Sequence, residues 1–157
     1  MKAEKSNYEQ VIENWRGKFL EMDQEALIRK FDLEAEEEAL YITYFSRKLR
    51  IDRKNGVITD QGVRPGFDTV MNIYNTFYYA AEHPVASGNL VAFRQVKRAY
   101  PFEAAYRRTI ISRLQKIFSG KTAELKKACE ILGGTPLPQG DVGYVLPVFP
   151  FLNIAVL

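Results

Sequence analysis

The stretch Leu40-Tyr41-Ile42-Thr43-Tyr44-Phe45-Ser46-Arg47-Lys48-Leu49-Arg50-Ile51-Asp52-Arg53-Lys54-Asn55-Gly56-Val57-Ile58-Thr59 decides the fold class. It is rich in β-branched and aromatic residues, which suit a pleated, half-buried surface, so residues 40–45, 48–52 and 57–59 read as strands. Asn55-Gly56 can take the positive φ angles of a tight hairpin turn, and Ser46-Arg47-Lys48 supplies the turn before it. Both connections are local. The pattern predicts a short antiparallel meander.

Helical periodicity surrounds these strands. Upstream, Tyr8, Val11, Ile12, Trp15, Phe19 and Met22 recur at helical spacing, and Ser6 or Asn7 offers an N-cap oxygen. Gly17 inside that helix costs about 1 kcal/mol relative to Ala, which burial of Trp15 and Phe19 outweighs. A second helical turn over 24–31 aligns Leu27, Ile28 and Phe31, and the acidic residues 34–38 read as a solvated connector. Downstream, Arg64-Pro65-Gly66-Phe67-Asp68 breaks the chain, and Asp68 is expected to cap a helix reaching His83, with Val70, Ile73, Tyr74, Phe77 and Ala81 inward. Residues 93–99 read as a short helix. Pro101 then opens the clearest helix, whose stripe is Phe102, Ala105, Tyr106, Thr109, Ile110, Leu114, Ile117 and Phe118. A last helix over 122–132 packs through Leu125, Ala128, Cys129 and Leu132 and stops at Gly133-Gly134. Residues 144–149 and 152–157 read as two strands around Pro150. The apolar run Ile154-Ala155-Val156-Leu157 looks like mid-strand, so a truncated chain or a strand buried at its end is expected.

With 157 residues, 46% apolar and 26% charged, the composition is that of one ordinary globular domain, which needs no disulfide or metal to hold its core. Disorder and collagen are excluded, no apolar run approaches the roughly 18–20 residues of a membrane span, and the polar N-terminus is not a secretory signal. A cytoplasmic protein is the default reading. One Cys and one His cannot supply a zinc site, an iron–sulfur cluster or an internal disulfide, so no metal and no cofactor is expected. The net charge of +3 conceals a division: residues 1–40 hold 11 acidic and 6 basic side chains, residues 90–127 hold 10 basic and 2 acidic. Opposite surfaces that attract within one molecule, or between copies, are the simplest account.

Ser119-Gly120-Lys121-Thr122 imitates the end of a phosphate-binding loop, but the early glycine of that loop would fall at Gln115, inside a helix. A helix–glycine–helix turn explains it. His83 before Pro84 reads as an exposed residue at a helix end, and Cys129 on an apolar stripe as a small hydrophobe. Arg94, Lys97, Arg98, Arg107, Arg108, Arg113 and Lys116, with Tyr100 and Tyr106 among them, would suit single-stranded nucleic acid; a solvated helical face is the better reading. Asp141 is the one carboxylate in a loop able to hold a ligand, although an Asx turn accounts for it.

Gly88-Asn89-Leu90-Val91-Ala92-Phe93-Arg94, Leu132-Gly133-Gly134, Gly140-Asp141-Val142-Gly143 and Pro147-Val148-Phe149-Pro150 give the chain a resemblance to the prokaryotic family catalogued as domain of unknown function 3786. The resemblance covers most of the chain. It implies an accessory domain of anaerobic bacteria and archaea, with an iron–sulfur or corrinoid-related protein as partner. It carries over no catalytic residues, and the sole histidine lacks the Asp-x-His-x-x-Gly setting of a histidine-on corrinoid site.

The fold expected is α+β, a small, mainly antiparallel sheet from residues 40–60 and 144–157 covered on one face by amphipathic helices, in a single domain over 1–157. The function expected is a non-catalytic ligand-binding or accessory domain, with Arg94, Asn89 and Asp141 on the 88–94 turn and the 140–143 loop as ligand-binding candidates. Two alternatives stand beside it. One is an enzyme with an Arg94/Asp141 pocket, the other a homo-oligomeric assembly module in which the acidic N-terminal helix of one copy meets the basic helices of another. Neither a membrane nor a nucleic acid is expected as partner.

Overall fold

Helix α1 (Asn7–Glu21) begins where the sequence offers a cap: Ser6 accepts from the Glu9 amide, and Glu9 reaches back to the Ser6 amide. A computed structural model describes residues 6–157; the first five residues, on which the reading of a non-secretory start partly rests, lie outside the described residues. Helix α2 (Gln24–Phe31) is capped by Asp23, and its Leu27 and Phe31 are buried as their spacing requires. Both helices belong to the first of two compact units, Met1–Val85 and Ala86–Leu157.

The meander of the first unit is present, in the order β1 (Glu34–Ala35), β2 (Ala39–Tyr44), β3 (Arg47–Asp52), β4 (Ile58–Thr59), all antiparallel. Two local readings change. The β2–β3 turn is Phe45-Ser46, both at positive φ (46° and 62°), because a two-residue turn of that hand matches strand twist. The acidic connector is in part a strand: β1 pairs with β2, and its Glu34 meets Lys48 at 2.7 Å, while Glu38 meets Lys54 at 2.6 Å. Those charges are exposed and contribute little each. The β3–β4 loop is tied by Asp52, which accepts from the Lys54 and Asn55 amides. Burial pushes the Asp52 carboxyl up, yet these amides and Arg50 outweigh it and hold it below the usual range.

Helix α3 (Phe67–Tyr79) completes this core. Its N-cap is Gly66 without a side-chain bond, so Asp68 lies inside the first turn and not at the cap. It ends at Tyr79, short of His83, and Ala81 is exposed. Val70, Ile73, Tyr74 and Phe77 are buried as read, and Phe19 of α1 packs between Tyr74 and Phe77, ring centroids 6.2 and 6.1 Å away.

The second unit carries its own sheet, β5 (Thr135–Pro136), β6 (Tyr144–Phe149) and β7 (Leu152–Val156), in the order β5-β6-β7. The C-terminal strands therefore do not join the early meander. Each set closes through short local connections, which cost less loop entropy than pairing across about 90 intervening residues. The α+β class stands, with two small antiparallel sheets in place of one. Residues 93–99 form only a 3₁₀ turn, Phe93–Gln95, since Arg98 takes a positive φ of 66°. Pro101 does open the next helix, as a 3₁₀ turn running into α4 (Glu103–Tyr106), a π-helical segment Arg107–Ile111 and α5 (Ser112–Phe118). None of these residues is fully buried, but Tyr106, Ile111, Leu114 and Phe118 form a half-buried stripe that crosses the π segment. Helix α6 (Thr122–Ile131) buries Cys129 and ends at Gly133, φ 77°. Among the described residues no helix is long and apolar enough to cross a membrane.

Candidate functional site

In the first unit, α1, the β3–β4 loop, β4, the connector to α3 and α3 itself enclose a groove of about 250 Å³. Its apolar lining is Ile12, Val57, Ile58, Pro65, Val70 and Tyr74. Glu9, Ile12, Glu13 and Arg16 line one wall because helical spacing sets them on one face of α1. Arg64, exposed and just before Pro65, lines the groove from the connector to α3.

The charged groups are not equivalent. Glu9 is engaged by the Ser6 amide and hydroxyl at 2.9 and 3.2 Å, and Glu13 is not free either. Arg16 donates Nε–H to the Asn55 carbonyl at 2.9 Å, which anchors α1 to the β3–β4 loop and leaves its terminal nitrogens unbonded among the described residues. Arg64 is exposed and makes no hydrogen bond or ion pair among the described residues. Among the described residues the carboxylates are thus occupied and the guanidinium groups available.

Tyr74 fixes this lining. Its hydroxyl donates to the Gly56 carbonyl at 2.5 Å, and the side chain is 0% exposed. Burial pushes the phenol up to about 12, against the opposing charge of Arg16. Because the folded chain holds this proton more tightly than the unfolded chain, the associated stability is complete below about pH 10 and is lost as pH rises from 10 to 12. In Tyr74→Phe that alkaline loss should vanish, while stability at neutral pH falls by about 1–3 kcal/mol with the Gly56 carbonyl left unpaired. Urea unfolding across pH, followed by Trp15 fluorescence, checks both; an unchanged alkaline slope in the variant would contradict the assignment.

The residues singled out from sequence lie elsewhere. Arg94, in the 3₁₀ turn, and Asn89 and Asp141, in loops, are all exposed, and no hydrogen bond or ion pair joins any two of them. Asn89 contributes only its amide, which donates to Ser87 Oγ at 3.3 Å. His83 is exposed, at a φ of 49°. Cys129 is 2% exposed, and burial, then the neighbouring Glu130 charge, pushes its thiol up, away from the thiolate a nucleophile needs. Ser119 to Thr122 is the helix–glycine–helix turn that was read, with Gly120 at φ 70°. Of the basic residues, Arg107 pairs with Glu103 at 3.0 Å, and Tyr106 stacks on Phe93 with centroids 4.3 Å apart, so that one face of its ring is already covered. No three His, Cys, Asp or Glu side chains are gathered as a metal set among the described residues.

The sequence marks Tyr74 as a core residue and Arg64 as part of a chain break, and it does not single out Arg16, Arg64 or Tyr74 for binding. The signal for Arg16 was its place one helical face along from Glu9, Ile12 and Glu13; for Arg64, a cation inside a helix-starting break.

Fold and groove together define an α+β protein of two small sheets with a small-molecule-sized cleft in its first unit. The profile of the domain of unknown function DUF3786 matches residues 23–157 of the 157, and the chain belongs to that family. No curated protein and no solved structure matches it. The match starts after α1, so the α1 wall of the groove lies outside the shared span.

Proposed function

We propose that this chain is a non-catalytic binding domain whose first unit holds a small molecule with an anionic head and an apolar body. The Arg64 guanidinium, exposed and without a partner among the described residues, in a groove with an apolar lining, carries this reading. A guanidinium offers parallel donors that match a carboxylate, and Arg16 adds terminal nitrogens from the α1 wall. At about 250 Å³ the groove falls just short of the ~300 Å³ at which drug-sized sites begin, so the ligand is small. A binding role without catalysis accords with the buried, raised thiol. The accessory role beside an iron–sulfur or corrinoid-related protein in a prokaryote rests on the family resemblance, and a cytoplasmic location on the sequence's lack of an apolar span and of a secretory pattern. Arg94, Asn89 and Asp141 are proposed as polar contacts of a separate ligand surface on the second unit, which octanoate is not expected to occupy; if Arg94→Ala and Asp141→Ala leave binding of a second-unit ligand unchanged, they are removed.

Octanoate is the test ligand, with octan-1-ol as the control that lacks the charge. Calorimetry should show saturable octanoate binding, weaker binding of the alcohol, and at least about tenfold loss in Arg64→Gln, the effect of one charge-assisted hydrogen bond. Equal affinity of Arg64→Gln and the unaltered chain would refute the role of Arg64.

A further inference from the structure

We propose that the outer edge of β7 pairs antiparallel with β7 of a second copy of this chain, continuing the β5-β6-β7 sheet across a two-fold axis. A strand at the end of a sheet directs alternate N–H and C=O groups outward with no strand partner, and β7 holds that position. Such edges are ordinarily shielded by brevity, charge or proline. The others here are: β1 and β4 have two residues each, β1 carrying Glu34, and β5 has two, of which one is Pro136. In contrast, β7 has five residues, and Leu152-Asn153-Ile154-Ala155-Val156-Leu157 contains neither a charged residue nor a proline.

The absence of charge removes the usual bar to pairing with a second copy. Two identical strands that carried a net charge would set like charges side by side, which is destabilising, whereas two β7 strands meet no such opposition. A two-fold axis at Ile154 places Leu152 beside the other copy's Val156 and sets the two Ile154 side chains together, an isologous contact. The face has a reason to be covered. Ile154 and Val156 pair with the buried Leu146 and Tyr144, so they extend the core side of the sheet, yet Ile154 remains 42% exposed.

Sedimentation of the 157-residue chain at low and high salt tests this, together with Ile154→Lys, with Asn153→Lys on the opposite face, and with Ile131→Lys as a control on exposed α6. The expected result is a particle of twice the 18.0 kDa chain mass, insensitive to salt. Both β7 variants should weaken it more than tenfold, and Ile131→Lys should leave it intact. If Ile154→Lys fails to fold, Asn153→Lys decides. A monomer, a dimer that dissociates at high salt, or a dimer indifferent to charge on β7 would overturn the proposal; the salt-sensitive dimer would point to the acidic and basic helices instead.

Discussion

Phe19→Ala should destabilise the first unit by about 3–5 kcal/mol, the range for deleting a fully buried aromatic ring. Phe19 is 0% exposed and is the only residue of α1 that is fully buried among those described. It packs against Tyr74 and Phe77, and a Cβ added at Gly56 would lie only 3.1 Å from its ring. The surroundings therefore cannot collapse into the space without moving the β3–β4 loop. Trp15 reports the event, because its ring meets Tyr78 and Tyr79 of α3 at 5.5 and 6.1 Å. Urea unfolding monitored by Trp15 should show the loss as a lowered midpoint with an unchanged slope. A loss under about 1 kcal/mol would mean that α1 is not held through Phe19. Since α1 supplies one wall of the groove, octanoate binding should weaken in the same variant.

Gly143→Ala should be the most damaging small change in the second unit. Gly143 is buried between β5 and β6, and its carbonyl accepts from the Leu137 amide at 2.8 Å. A Cβ there would stand 2.5 Å from the Gln139 carbonyl oxygen and closer still to that of Leu137. Backbone atoms cannot rotate aside as a side chain would, so the strain should reach or exceed about 3 kcal/mol, the upper end for overpacking. Amide hydrogen exchange over β6 should accelerate accordingly. Protection of Tyr144 to Phe149 equal to that of the unaltered chain would show that the loop yields freely.

Local structure was legible where one periodicity dominated. The Ser6 cap, the face of α3 and the alternation of β2 and β3 all follow from near neighbours in sequence. The Phe45-Ser46 turn was not, because neither residue is a usual choice for positive φ; the strand register imposes it. Sheet membership was equally hidden, since apolar strands at 40–59 and 144–156 look alike whichever partner they take. The stripe of α4 and α5 looked like a core face, yet only Tyr106, Leu114 and Phe118 of it are even half-buried, and the π segment between them alters the spacing that the sequence suggests. The groove escaped for a different reason. Its lining runs from Glu9 to Tyr74 on three elements and two connecting segments, so no short window of sequence contains it. Attention to loops drew the candidates to Arg94, Asn89 and Asp141, whereas Arg64 read as part of a chain break.

Methyl-resolved NMR during an octanoate titration tests the binding reading most directly, since it reports where the ligand sits. The groove account predicts saturable shifts at the methyl groups of Ile12, Val57, Ile58 and Val70, with Val142 and Leu146 of the second unit unmoved. Shifts confined to the second unit, or none that saturate in the first, would contradict it.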